Sequence, residues 1–100
     1  MKDKFKQIVE IFNKYGIQYY MDKSNYAFYL PETDHFGSIL RMILFYINED
    51  INSINYYFNG ENVKLKINDY TEFLKGLEVF SFSSRHLDFW DDMMMELYLL

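Results

Sequence analysis

Along residues 3 to 15, DKFKQIVEIFNKY, the apolar side chains Phe5, Ile8, Val9 and Phe12 recur at helical spacing, while Lys4, Lys6, Glu10 and Lys14 fall on the other side. The spacing predicts an amphipathic helix, and Gly16 stands where a left-handed residue stops one. The pattern then changes to short runs rich in Tyr and Phe. IQYYMD (17 to 22) and YAFYL (26 to 30) flank Lys23, Ser24 and Asn25, a turn-prone trio. This predicts a hairpin whose second strand ends at Pro31.

SILRMILFYIN (38 to 48) is apolar on every side, a pattern that central strands share with buried helices. Its β-branched and aromatic content favours a strand. The next stretch, INSINYYFNGENVKLKI, sets an Asn59-Gly60 turn between YYF and VKLKI. Val63, Leu65 and Ile67 alternate there with Lys64 and Lys66, so one face is buried and the other wet. The same alternation sends one member of each adjacent tyrosine pair outward, and Tyr20 and Tyr57 become candidate contact residues.

In NDYTEFLKGLEVF the spacing turns helical again through Tyr70, Phe73, Leu74, Leu77 and Phe80, and Asp69 with Glu72 forms a capping box. The linker SFSS offers Ser83 or Ser84 as the next N-cap, which predicts a last helix from about Arg85. Residues 87 to 100, LDFWDDMMMELYLL, carry two patterns at once. Leu87, Trp90, Met94 and Leu97, with Met93 beside them, make a stripe fit to pack on a sheet. Asp88, Asp92 and Glu96 recur at four-residue intervals on another face with Asp91 alongside, and Met95 and Leu99 fall among these acids. Four helical residues rise about 6 Å, a repeat on which carboxylates could stand in for a phosphate row.

The elements together predict one α+β domain over residues 1 to 100: an N-terminal helix, an antiparallel sheet of four or five strands, and two C-terminal helices, all covering one sheet face. A hundred residues with 50% apolar side chains can bury a sufficient core, and no cysteine is available for a disulfide or a thiolate metal site. Aromatics make up 21% of the chain, ten of them tyrosines. That many rings cannot all be interior, and a tyrosine tolerates a half-wet position. No apolar run has the length of a signal peptide or a membrane span, so a cytoplasmic protein without a membrane partner is expected.

Net charge is −5. Residues 1 to 30 hold five Lys against Asp3, Glu10 and Asp22, and the acid excess comes later, with Asp88, Asp91, Asp92 and Glu96 closing the sequence. Lacking a basic stripe interleaved with aromatics, the chain is not expected to bind DNA or RNA directly. Catalytic motifs are missing as well: there is no nucleophile elbow, no phosphate-binding glycine loop and no paired-histidine zinc spacing. His35, in ETDHFG, and His86, in RHLD, are the side chains that titrate near neutrality, and a small enzyme or ligand sensor would have to use one of them. No enzyme activity, cofactor or metal is expected.

In outline, size and charge the chain resembles the small acidic inhibitors that phages and mobile elements direct against bacterial defence systems, anti-CRISPR proteins among them. The likeness lies in the N-terminal helix KFKQIVEIFNKYG, the Tyr-rich strands ending in YYFNGENVKLKI, and the helical stretches NDYTEFLKGLEV and LDFWDDMMMEL. It implies a non-enzymatic binding protein whose partner is a CRISPR effector or another nuclease with a basic surface. The expected contact residues are Asp88, Asp91, Asp92, Met95, Glu96 and Leu99, with Tyr20, Tyr57, Glu49 and Asp50 as a second set. An immunity protein neutralising a cognate toxin, and a homodimeric structural protein joined through the same tail, are the alternatives.

Overall fold

The computed structural model describes residues 2–58, 60–81 and 87–100. A single 3₁₀ turn, Lys2–Lys4, leads into helix α1 (Phe5–Lys14), which buries Ile8, Val9 and Phe12. Gly16 follows with φ +89°, the left-handed value that ends the helix without strain on a side chain.

Five strands then run back and forth: β1 (Gln18–Asp22), β2 (Asn25–Thr33), β3 (Ile39–Asn48), β4 (Ser53–Phe58) and β5 (Glu61–Lys66). Each pairs antiparallel with the next, so spatial order is chain order. The architecture is α+β, with the larger of the two strand counts expected, and the stretch 38–48 resolves to a strand. Ile67 continues the last pairing, its N–H donating to the Asn52 carbonyl at 2.9 Å. Of the Asn59-Gly60 turn, Asn59 lies outside the described residues; Gly60 has φ +80°, and Phe58 faces Glu61 across the hairpin.

Pro31 does not end β2. The strand runs on to Thr33 with Pro31 opposite Arg41. Counting alternately from the Asp22–Asn25 pair that closes the first hairpin, position 31 points its missing N–H away from β3, on the side where β1 has already stopped opposite Tyr29. A proline there costs no ladder bond. Beyond this point β2 and β3 form a two-stranded ribbon, because β3 meets β4 only at Tyr46 and Ile47.

Helices α2 (Tyr70–Ser81) and α3 (Trp90–Tyr98) join α1 over one sheet face. The capping box forms at one end only: the Glu72 N–H donates to Asp69 Oδ1 at 2.9 Å, while the Glu72 carboxylate accepts from the N–H of Asn68, one residue earlier than the motif requires. Gly76 sits where a Cβ would come within 2.9 Å of Ile54 Cδ1, so the missing side chain lets α2 approach β4. The last helix begins at Trp90 and not near Arg85; Leu87 to Phe89 form a turn ahead of it, and the proposed caps Ser83 and Ser84 lie outside the described residues.

The core is a chain of touching rings, edge-on at the first two contacts and tilted at the third. Phe12 meets Phe45 at 5.5 Å, Phe45 meets Phe80 at 5.4 Å, and Phe80 meets Trp90 at 5.3 Å, which links α1, β3, α2 and α3 through one contact path. Met93 and Leu97 of α3 are fully enclosed, as the apolar stripe predicts.

Candidate functional site

On α3 the inward stripe leaves Met95 66% and Leu99 85% exposed, so neither belongs to the core. Tyr98, also exposed, lies three residues from Met95 and next to Leu99, and joins them in one apolar patch. Its signal in the sequence is this spacing, set among the more conspicuous acids. Asp91 and Asp92 occupy the exposed first turn of the helix, where the macrodipole favours negative charge.

The regular acidic row does not exist. Asp88 precedes the helix, in the turn before Trp90, and Glu96 is taken up within the chain. Lys14 Nζ stands 2.8 Å from Glu96 Oε1, and the Tyr15 hydroxyl donates to Glu96 Oε2. These two bonds, Lys14 first, hold the Glu96 carboxyl below its ordinary pKa. The same bond, aided by partial burial, pushes the Tyr15 phenol up to about 12. Glu96 therefore fastens α3 to the end of α1, and the exposed acid that remains is Asp88, Asp91 and Asp92, grouped before and at the start of the helix with the apolar patch beyond.

The second set of candidates falls elsewhere. Tyr20 and Tyr57 lie on the sheet face that carries no helix among the described residues, Tyr57 at 68% exposure. Strand alternation puts Tyr29 and Tyr46 on that face too. Arg41, which the sequence did not single out, stacks its guanidinium 4.5 Å from the Tyr20 ring centroid and 5.2 Å from that of Tyr29. Ala27, fully buried, faces Tyr20 on one side and Tyr46 on the other, a small residue that leaves the middle of the face low. Glu49 and Asp50 are exposed at the β3–β4 turn, where they border this face with Ser24 and Lys64; Lys2 Nζ lies 3.6 Å from Glu49.

A third exposed feature had no sequence signal beyond a glycine. At the ribbon tip Asp34 Oδ1 accepts from the N–H groups of Phe36 and Ser38, both at 2.9 Å, and this fixed turn presents Phe36 at 92% exposure with Ile39 and Leu40 behind it. His35 is exposed in the same turn, and His86 lies outside the described residues. Among the described residues no group of three or more His, Asp or Glu is placed to hold a metal ion, and no helix is long and apolar enough to cross a membrane. No family model, no curated protein and no solved structure matches the chain.

Proposed function

We propose that the chain is a non-enzymatic binding protein, an inhibitor that lays its α3 face on a basic surface of a nucleic-acid-handling protein such as a CRISPR effector or another nuclease. The observation that carries this reading is the exposure of Met95 and Leu99 beside Asp91 and Asp92. Apolar side chains gain nothing from water, and a soft thioether and a phenol next to an acidic helix start have the make-up of a protein contact. Three side chains cover far less than the roughly 800 Å² per partner of a standard interface, so the acids are part of the contact. Their charge would speed encounter with a basic surface in a salt-dependent way.

The test is inhibition. Purified chain added to DNA-cleavage reactions of a panel of CRISPR effectors and other basic nucleases should slow at least one of them. Asp91→Lys with Asp92→Lys should remove that effect. Cleavage unchanged across the panel, or inhibition that survives the double reversal, would leave the proposal without support.

A further inference from the structure

The helix-free sheet face gathers what the linear sequence scatters. Arg41, Lys64 and Lys66 come from β3 and β5, and Lys23 from the β1–β2 turn, yet strand register and the shared concavity bring all four to one side, against Asp22 as the acid among them. Glu49 and Asp50 stand at one rim, and Glu49 is already beside Lys2. A chain of net charge −5 thus has a locally basic face. The same face holds four tyrosines, and between Tyr46 and Tyr57 it opens a concavity of about 510 Å³ into which Asn55, Asn62 and Lys64 also project.

Three kinds of group therefore share one surface: flat rings, cations, and amides that both donate and accept. A bare polyanion would use the cations alone, and an acidic peptide would leave the rings without flat partners. Bases joined by phosphates use all three. The strand has to be single, because stacking on a side chain needs a base face that a duplex hides, and sheet surfaces recognise nucleic acid in this way. Arg41 lies five residues along β3 from Tyr46, and Lys64 two strands over from Tyr46, so the cations span roughly 18 Å of sheet. That suits a short site of about four nucleotides.

We infer that the helix-free face of the sheet binds single-stranded nucleic acid, with bases stacked on Tyr57 and Tyr46 and phosphates held by Lys64, Lys23 and Arg41. The inference goes beyond the proposed inhibition and does not rest on it, since α3 packs on the opposite face of the sheet.

The probes are fluorescein-labelled oligothymidylate and oligouridylate of about twelve nucleotides, a length within common site sizes. Anisotropy is read with the full chain between about 50 and 200 mM salt. At least one probe should bind, and the stronger of the two tells whether DNA or RNA is preferred. Tyr57→Ala should weaken binding about fivefold to 100-fold, whereas Tyr57→Phe, which keeps the ring, should not. Lys64→Ala should reduce the log–log salt slope by about 0.7. Met95→Asp with Leu99→Asp should bind as wild type does. Circular dichroism on each variant confirms folding, and Tyr57 is exposed enough that its loss leaves the core intact. No binding of either probe at about 100 µM protein and the lowest salt overturns the inference. So does Tyr57→Ala binding as tightly as wild type while inorganic polyphosphate competes equally, which would mean charge alone, and so does polyglutamate binding in place of both probes, which would mean a protein surface.

Discussion

Tyr15 donates its hydroxyl hydrogen to the carboxylate of Glu96, 81 positions further along the chain, and Lys14 closes on the other carboxylate oxygen at 2.8 Å. Two adjacent residues at the end of α1 thereby engage Glu96 within the chain, while Asp91 and Asp92 of the same helix face water. Met95 and Leu99 stay exposed because the buried stripe of Trp90, Met93, Met94 and Leu97 turns them outward.

Acid should loosen this anchor. The folded Glu96 carboxyl titrates below its ordinary value of 4.5, so the stability it contributes is present above about pH 4.5 and lost as pH falls through the depressed folded value. Glu96→Gln should melt at a lower temperature than wild type at pH 7, and its melting temperature should fall less on acidification below pH 4.5. Thermal melts followed by circular dichroism across that range check both slopes.

Alkali should act through two phenols. Tyr15 is raised to about 12 chiefly by its bond to Glu96, and Tyr70 to about 12 by burial beneath α3, where its hydroxyl donates to the Leu97 carbonyl. Because the folded values exceed the ordinary 10.0, the stability they contribute is intact below pH 10 and lost as pH rises from there through about 12. Tyr15→Phe with Tyr70→Phe should start less stable at pH 8 and lose less between pH 10 and 12, as read from urea midpoints.

Gly76 provides a test of the α2 contact. Gly76→Ala gains about 1 kcal/mol of helix propensity, which offsets the small shift asked of the Ile54 methyl group 2.9 Å away. Gly76→Val adds two further carbons against Ile54, Ile67 and Leu65, and overpacking of that kind costs about 1–3 kcal/mol. Urea unfolding should find the first variant near wild type and the second clearly weaker.

Met95→Asp with Leu99→Asp should cost about 1–2 kcal/mol, from like charge beside Asp91 and Asp92 and from acid at the C-terminal end of the helix, and no more, since no buried contact is lost. Light scattering should give the mass of one 12.3 kDa chain for both proteins. A wild-type mass of twice that, reduced to one in the double variant, would assign the face to contact between copies.

Much of the fold could be read directly from the sequence because its elements are locally determined. Ile8, Val9 and Phe12 announce α1 by spacing, and Val63 and Leu65 announce β5 by alternation. Pro31 misled because a proline ends a strand only where its N–H is needed, and whether β1 reaches that far is a matter of pairing. Glu96 misled for a related reason: four-residue spacing shows which residues share a helical face, but not that Lys14 and Tyr15 will stand opposite. The largest difference lies in the open sheet face. Lys23, Arg41 and Lys64 are separated by about twenty residues each, so no window of sequence reveals a basic cluster, and only the meander brings them together.

The most direct test of the α3 proposal compares which proteins are retained by immobilised wild type and by Met95→Asp with Leu99→Asp, using one bacterial lysate washed at rising salt and quantified by mass spectrometry. A basic nucleic-acid-handling protein should be enriched on wild type, released as salt rises, and absent from the variant. The same proteins on both supports, or none enriched on wild type, would contradict the proposal.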